Sequence, residues 1–363
     1  MNIPTLRWGI LGTAQIARKN WRAIRNSGNA TVAAVASRSL DRSGQFIDEC
    51  QAEVPMETAP RALGSYEELL ASPDIEAVYI PIPTGLRKEW VIRAARAGKH
   101  VLCEKPCAVT TGDLREMLDA CRENHVQFLD GVMFMHSRRL ARMREILDDP
   151  ASVGEIRRIQ CAFTFNAPPE FYEGNIRSQP GLEPHGCMGD VGWYCLRLSL
   201  WAMQWQMPRQ VSARMLSENI VPTELSGELR FDNGVSAGFY CSFRTNNQQW
   251  AVITGTRGYL RIDDFVLPVA GNNLDFEIEH LEYRVSGCDV RMVPGATRHS
   301  ITEPSHGEAG AQECNMFQAF SEQVRSGSLN PEWPRIALQT QLVMNACLES
   351  ARNDGKPVAI LYP

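Results

Sequence analysis

The fold of the N-terminal part of this chain is decided in the stretch Trp8-Gly9-Ile10-Leu11-Gly12-Thr13-Ala14-Gln15-Ile16-Ala17. An apolar strand pattern passes here into a helical one, the context in which a glycine-rich stretch becomes informative. Gly12 permits a tight turn, and the N–H groups at the start of the following helix would hold phosphates. Ala14 departs from the usual fingerprint, which has glycine at that position. The stretch predicts a dinucleotide-binding turn, with a plain strand-turn-helix as the alternative, and the expected cofactor contacts are Gly9, Gly12, Thr13, Ala14, Gln15 and Ile16.

Outward from this turn, the chain up to about residue 130 alternates short apolar runs with helical stretches, which is typical of βαβ units around a parallel sheet. Strands are predicted at 6–11, 31–37, 77–80, 100–103 and 126–129. Helices are predicted at 16–26, 42–50, 66–71, 86–97 and 114–123. The sequence therefore predicts an α/β Rossmann domain over residues 1–130.

The pattern changes after about residue 148 to longer alternating segments, which predict mostly antiparallel strands. Examples are 155–165, 224–231, 235–243 and 259–262. One helix is predicted at about 190–201, and two more at 312–324 and 336–351. We expect an α+β domain over residues 131–363, built on a large open sheet that is mostly antiparallel and serving substrate binding.

The end of the second predicted strand indicates the cofactor. It reads Val35-Ala36-Ser37-Arg38, where an NAD-preferring fold usually has a carboxylate that holds the ribose 2′-hydroxyl. Ser37 can hydrogen-bond a 2′-phosphate instead, and Arg38 can pair with one. NADP(H) is favoured over NAD(H), which stays an alternative, as does a solvent-facing role for Arg38.

A lysine follows the strand predicted at 100–103, in the segment Glu104-Lys105-Pro106. Ligands of open α/β sheets bind beyond the carboxyl ends of the strands, so Lys105 is expected at the ligand-binding edge. Pro106 keeps the preceding residue out of helical geometry and would hold the lysine in place. A positioned ammonium can stabilise negative charge on a substrate oxygen, and Glu104 would orient it or contact the nicotinamide ribose.

Composition restricts the partners of the protein. The 363 residues are 44% hydrophobic and 22% charged, with a formal net charge of -5, so no global charge attracts nucleic acid or an anionic membrane. The N-terminus lacks a signal-peptide pattern and the 11 cysteines include no Cys-x-x-Cys pair, which predicts a cytoplasmic protein with reduced, buried thiols and no metal site. A small-molecule partner is favoured.

Four stretches, taken in order, resemble the Gfo/Idh/MocA family of NAD(P)-dependent oxidoreductases, which includes glucose-fructose oxidoreductase and inositol dehydrogenase. They are residues 9–17, Tyr-Ile-Pro-Ile-Pro-Thr at 79–84, Gly-Lys-His-Val-Leu-Cys-Glu-Lys-Pro at 98–106, and Gly-Cys-Met-Gly-Asp-Val-Gly-Trp-Tyr-Cys at 186–195. The resemblance covers nearly the whole chain. It implies a Rossmann domain followed by an α+β domain whose open sheet builds a homodimer or homotetramer.

The resemblance also implies site residues. The loop after the fourth strand of the family contacts the nicotinamide side of the cofactor, which implicates Ile82, Pro83 and Thr84. Many members have Asn at the position of Thr84 and His three residues later, where this chain has Arg87. Cofactor contacts in this loop are therefore expected to differ from the common pattern.

Asp190 and Tyr194 are spaced i, i+4 on a predicted helix, so both side chains are expected on one face. Most family members have His at the second position, and a subset that includes glucose-fructose oxidoreductase and the dimeric dihydrodiol dehydrogenase carries Tyr. We hypothesise that Tyr194 exchanges a proton with the substrate oxygen, Lys105 stabilises that oxygen and Asp190 orients the pair. Arg177 is a candidate to bind a substrate hydroxyl or carboxylate, with a surface ion pair as the alternative.

The predicted activity is reversible hydride transfer between NADP(H) and a secondary alcohol or carbonyl of a sugar, cyclitol or diol. Two alternatives stay open. One is a redox-neutral glycosidase, since some family members keep NAD(H) bound, oxidise a sugar transiently, eliminate the aglycone and reduce the sugar back. The other is a non-catalytic cofactor sensor.

Overall fold

Six short parallel strands form the first sheet, in the order β3-β2-β1-β4-β5-β6. The computed structural model describes residues 5–269 and 271–361. Residues 1–4, which begin the segment predicted to lack a signal peptide, lie outside the described residues. The strands are β1 Leu6–Leu11, β2 Ala30–Ala36, β3 Arg61–Leu63, β4 Ala77–Ile80, β5 His100–Cys103 and β6 Phe128–Asp130. The helices between them are α1 Gln15–Asn26, α2 Leu40–Glu53, α3 Tyr66–Ala71, α4 Thr84–Arg96 and α5 Thr111–Glu123. The predicted Rossmann fold is confirmed.

The strands of this sheet are short apolar runs because both of their faces are covered. Every residue of β4 is buried, as expected for a central parallel strand between two helical layers. Packing is close at Gly9, where an added Cβ would lie 2.5 Å from Leu69 of α3. Only glycine fits between this strand and that helix without displacing the leucine.

Two segments from later in the chain belong to the same compact unit as this sheet. The unit comprises the described part of Met1–His136 together with Gln179–Pro184 and Pro304–Gln341. Helix α9, Gln312–Arg325, which the sequence analysis assigned to the second domain, packs Phe317 and Phe320 onto Trp8 at ring distances of 5.1 and 5.0 Å. This apolar contact explains why a helix some 300 residues along the chain joins the Rossmann core.

A nine-stranded sheet forms the second unit, which comprises the described parts of Ser137–Ser178, His185–Glu303 and Leu342–Pro363. Its strand order is β14-β13-β12-β11-β7-β10-β9-β8-β15, antiparallel except for the pair β7 and β10. The strands are β7 Ile156–Asn166, β8 Gln210–Glu218, β9 Pro222–Arg230, β10 Ser236–Ser242, β11 Arg244–Gly255, β12 Tyr259–Ile262, β13 Asn273–Ser286, β14 Asp289–Thr302 and β15 Val358–Ala359. The predicted α+β architecture with a mostly antiparallel sheet is confirmed.

The remaining helices are α6 Arg138–Asp148, α7 Pro169–Gly174, α8 Trp193–Ala202 and α10 Glu332–Arg352, with short 3₁₀ turns at Met133–His136 and Ile176–Ser178. A π-helical turn, Met188–Gly192, leads directly into α8. Gly192 allows this turn to lie against β10, because a Cβ there would meet Met188 Sδ at 2.8 Å and Cys241 Sγ at 3.1 Å. The sequence predicted one α-helix from about residue 190 and did not foresee the π-helical turn.

Strands β13 and β14 form a long hairpin at the edge of the second sheet, in register from Asn273↔Thr302 to Ser286↔Asp289. Near the turn, apolar cross-strand pairs alternate with pairs that contain charged residues. One face carries Leu281 opposite Pro294, Tyr283 opposite Met292, and Val285 opposite Val290. The leucine, tyrosine, methionine and both valines are at least half exposed. We call this face the apolar stripe of the hairpin.

All eleven cysteines are free, and ten of them are buried. The prediction of buried thiols is wrong for Cys288, which is exposed because it lies in the turn between β13 and β14.

Among residues 5–269 and 271–361, no group of three or more His, Cys, Asp or Glu side chains is arranged to hold a metal ion. No helix in the described part of the chain is long and apolar enough to cross a membrane.

Candidate functional site

The turn between β1 and α1 depends on a glycine in the left-handed region. Gly12 has a φ of 105°, which side-chain-bearing residues rarely adopt, and its N–H donates to the carbonyl of Ala36 at 2.8 Å. Ala14 caps α1 without a side-chain hydrogen bond, and the first turn of the helix contains no acidic residue. Gln15 and Ile16 are exposed there, and Thr13 and Ala14 are half-buried. The start of α1 therefore presents a positive dipole end to a phosphate.

The two neighbouring loops reach this turn. A Cβ on Gly12 would lie 3.1 Å from Cγ2 of Ile82, in the loop after β4, and 3.4 Å from the hydroxyl of Tyr66, at the start of α3. Burial raises the pKa of Tyr66, and the charges of Arg38 and Arg42 oppose that shift. Arg38 is exposed just beyond β2 and acts electrostatically on a group beside Gly12. This turn, in which the positive φ of residue 12 favours glycine, fits a nucleotide cofactor.

Ser37 is less available than the sequence implied. It is buried, its hydroxyl donates to the carbonyl of Ser39 at 2.7 Å, and it accepts from the N–H of Ser39 at 3.1 Å. This small turn places Ser39 as the N-cap of α2. Ser37 thus shapes the loop that presents Arg38.

Glu104 faces the interior of the first unit. Its carboxylate accepts from the hydroxyl of Tyr79 at 2.6 Å, and Asn20 donates to that hydroxyl at 2.6 Å and to the carboxylate at 3.4 Å. Burial, reinforced by the negative charge of Glu104, raises the pKa of Tyr79 well above its usual value. A Cβ on Gly131 would come within 3.1 Å of the carboxyl group. Glu104 is therefore buried and hydrogen-bonded to Tyr79 and Asn20. The sequence analysis, which expected it to orient Lys105 or contact the nicotinamide ribose, did not predict these contacts.

Lys105 is half-buried and directly follows β5 and Glu104, at the carboxyl edge of the parallel sheet. Its backbone N–H lies 3.3 Å from the Glu104 carboxylate, and its peptide bond to Pro106 is cis. Because β5 is the neighbour of β4, the lysine and the loop of Ile82, Pro83 and Thr84 emerge at the same edge. The structure thus brings together the predicted Gly12, Ile82 and Lys105 segments.

A buried polar network that the sequence did not predict ties these loops together. Arg87 Nε donates to the carbonyl of Ile82 at 2.7 Å, and Nη1 donates to Thr84 Oγ1 at 3.0 Å and to the carbonyl of Pro106. The carboxylate of Glu183 accepts from Thr84 Oγ1 at 2.6 Å and from the Thr84 N–H at 3.0 Å. Thr84 therefore takes part in a structural network at the N-terminus of α4.

The second unit holds the predicted site residues Asp190, Tyr194 and Arg177. Asp190 lies in the π-helical turn, and its carboxylate contacts Arg177 Nε at 2.9 Å. Tyr194, in the first turn of α8, is 7% exposed and packs edge-on against Phe163 at a ring distance of 5.5 Å. The ion pair to Asp190 shows that Arg177 is oriented by a predicted site residue.

Comparison with known proteins identifies both units. Residues 6–131 match the model of an oxidoreductase family with an NAD-binding Rossmann fold, and residues 140–261 match the GFO/IDH/MocA C-terminal domain. The chain is 30% identical to trans-1,2-dihydrobenzene-1,2-diol dehydrogenase of Mus musculus, over 99% of this chain and 98% of the relative. It is 32% identical to D-xylose 1-dehydrogenase (NADP(+)) 2 of Haloferax volcanii, over 70% and 75% of the two chains.

A solved structure resembles the whole fold. It is a 3-ketoreductase from Actinomadura kijaniata in complex with NADP and TDP-benzene, with a TM-score of 0.81, 26% sequence identity, and coverage of 95% of this chain and 98% of that one. The predicted family, the predicted oxidoreductase activity and the predicted nicotinamide nucleotide cofactor are confirmed. This chain belongs to the GFO/IDH/MocA family of NAD(P)-dependent oxidoreductases, and its N-terminal unit is the NAD-binding Rossmann fold of that family.

Proposed function

We propose that the protein transfers hydride reversibly between NADP(H) and a secondary alcohol or carbonyl of a sugar, cyclitol or diol. The observation that carries the proposal is the lysine at the carboxyl end of β5, on the same edge of the parallel sheet as the glycine turn that follows β1. Relatives named for a dihydrodiol and for D-xylose support the substrate class. Arg38, and the NADP bound by the related 3-ketoreductase, support NADP(H) over NAD(H).

The cofactor, when bound, would accept or supply the hydride. Thr13, Ala14, Gln15 and Ile16 would hold its phosphates and Arg38 its 2′-phosphate, while the Lys105 ammonium stabilises negative charge on the substrate oxygen. In alcohol oxidation, Tyr194 would take the proton of the substrate hydroxyl, and in reduction it would return a proton to the substrate oxygen. Asp190 forms an ion pair with Arg177 and would orient it to bind substrate hydroxyls.

Turnover of Lys105→Met and Tyr194→Phe tests these roles. Wild-type activity is measured with NADP⁺ on trans-1,2-dihydrobenzene-1,2-diol, D-xylose and a panel of cyclitols. We expect each variant to lose about a hundredfold or more in kcat, because each removes charge stabilisation or proton transfer in the transition state. Exposed Lys356→Met serves as the control. Near-wild-type rates in both variants would contradict the proposal.

The same panel separates the alternative activities. Cleavage of p-nitrophenyl glycosides without net NADPH formation would identify a redox-neutral glycosidase. NADPH binding without turnover on any substrate would identify a cofactor sensor. Either result would replace the proposed dehydrogenase reaction.

We further propose that the C-terminal sheet associates with a second copy of this chain through the apolar stripe of the hairpin. The end of a two-stranded ribbon is marginally stable alone in water, and a twofold contact would cover the stripe with an identical one. The opposite face carries charged pairs such as Glu282–Arg284 and Asp289–Arg291, which keep that side in water. The two faces therefore differ in the way that an interface and a solvent face differ.

Sedimentation velocity tests the association. Tyr283→Glu places a charge in the stripe and should shift a dimer or tetramer to a smaller species. Ser286→Glu places the same charge on the opposite face of the same strand and should leave the mass unchanged. A monomeric wild type, or an unchanged mass in Tyr283→Glu, would contradict the association.

A further inference from the structure

Arg87 lies in the first turns of α4, and its side chain is buried below the ends of β4 and β5, with 5% of its surface exposed. An arginine at this depth needs partners for its charge and for its five N–H donors. The partners are on the loops that leave the two strands. These partners place Arg87 between the loop of Ile82, Pro83 and Thr84 and the segment that carries Lys105.

The guanidinium connects these loops through backbone carbonyls. Its Nε donates to Ile82 at 2.7 Å and its Nη1 to Pro106, the residue after Lys105. A planar guanidinium holds its donors at fixed angles, so two carbonyls bonded to one fork have a fixed separation. The position of the Lys105 backbone is therefore coupled to that of the Ile82 loop.

Glu183 completes the arrangement by opposing the buried charge, with Oε1 3.8 Å from Arg87 Nη2. Its segment is held at the start of α4, since the N–H of Gly85 donates to the carbonyl of Leu182 at 2.9 Å. A Cβ on Gly85 would come within 2.5 Å of the carbonyl oxygen of Gly181, which leaves no room for a side chain. The segment 179–184 thus packs tightly enough to keep Glu183 beside the arginine.

We infer that Arg87 is a positioning residue, which fixes Lys105 through the carbonyl of Pro106 and is itself held by Glu183. The inference rests on the proposed role of Lys105. In this assignment Arg87 does not contact the substrate oxygen, and its Nε and Nη1 donate to Ile82, Thr84 and Pro106 instead. Its removal would displace the lysine, and misplacement by about 1 Å can cost about a hundredfold in rate.

The decisive variant is Arg87→Lys, with Arg87→Met and Glu183→Gln beside it. Lysine keeps a positive charge opposite Glu183 but has no rigid fork, so it cannot fix both carbonyls. We expect Arg87→Lys to recover most of the stability that Arg87→Met loses, while its kcat stays about tenfold to a hundredfold below wild type with KM changed less than about threefold. Arg93→Met, at an exposed arginine of the same helix, is the matched control and should keep wild-type kinetics.

A double-mutant cycle distinguishes positioning from a general structural effect. If Arg87 acts through Lys105, then Arg87→Lys should change the residual turnover of Lys105→Met less than about twofold, because the positioned group is gone. The inference is overturned if Arg87→Lys retains wild-type kcat while Lys105→Met loses activity, or if the two effects multiply. If Lys105→Met itself retains activity, the proposed role of the lysine fails instead. Should Arg87→Met not fold, the kinetics of Arg87→Lys still decide the matter.

Discussion

The surroundings of Lys105 and those of Asp190 each contain an arginine and a carboxylate, but they differ in burial. Arg87 and Glu183 have side chains 6% and 14% exposed, whereas Arg177 is 43% exposed and Asp190 18%. Buried charges are held in one geometry because every alternative leaves them without partners. A half-exposed pair can exchange its partner for water or for a ligand at little cost. The Arg87–Glu183 arrangement is thus suited to fixed geometry, whereas the Arg177–Asp190 pair could open to a ligand.

The largest expected effect concerns the buried pair. Arg87→Met leaves the Glu183 carboxylate and the carbonyls of Ile82 and Pro106 without their donor, so the free energy of unfolding should fall by about 3–5 kcal/mol. Urea denaturation followed by circular dichroism measures this change. Arg93→Met, in which an exposed arginine of α4 is lost, should change it by less than about 1 kcal/mol. Equal losses of unfolding free energy in Arg87→Met and Arg93→Met would contradict the difference between a buried and an exposed arginine.

A smaller effect is expected at the hydroxyl of Tyr79, which donates to the buried Glu104. Tyr79→Phe removes a hydrogen bond to a charged group and should cost about 1.5–3 kcal/mol at neutral pH. The pKa of Tyr79 is raised in the folded protein, so its stabilisation is complete below the unfolded value of about 10 and declines as the pH rises above it. The variant should lose less stability than wild type as the pH rises above about 10, by at most about 1.4 kcal/mol per pH unit. If the free energy of unfolding falls equally steeply with pH in both proteins above about pH 10, this expectation is wrong.

The smallest effect on stability is expected at the exposed pair. Arg177→Met should change the free energy of unfolding by less than about 1 kcal/mol. If Arg177 also binds substrate, the loss of one charge-assisted hydrogen bond should lower kcat/KM about tenfold, mainly through KM. Steady-state kinetics on the identified substrate measure this, with exposed Arg244→Met as the control. Unchanged kinetics would leave Arg177 as an ion-pair partner only.

Much of the fold was predictable because local patterns carried it. The strand and helix bounds 6–11, 66–71 and 259–262 agree with β1, α3 and β12, since each is a buried apolar run or amphipathic turn with clear boundaries. Strand β3 was missed because three residues are too few to show a period. The hairpin of β13 and β14 was not singled out, although its outer half alternates apolar and polar residues as other strands of this sheet do.

The candidate site residues likewise divide into those that local sequence patterns predict and those that they do not. Gly12 and Lys105 were predictable, because a turn after one strand and a residue at the end of another depend on short segments. Arg87 and Glu183 were not, since the contact of Glu183 with Thr84 joins residues 99 positions apart. Neither spacing nor composition shows which distant carboxylate will neutralise a buried arginine. The π-helical turn at Asp190 was equally hidden behind an i, i+4 spacing that an ordinary helix would also satisfy.

The turn between β13 and β14 has a practical consequence for the tests above. Cys288 is the single exposed thiol of the eleven, and burial raises the pKa of others, for example that of Cys103 to about 12. Thiol reagents react with thiolates, so a maleimide fluorophore should attach at this one position without any mutagenesis. A probe there sits at the tip of the ribbon, where energy transfer between labelled copies would report association. The same thiol calls for a reductant during purification, because two tips that meet in air would crosslink.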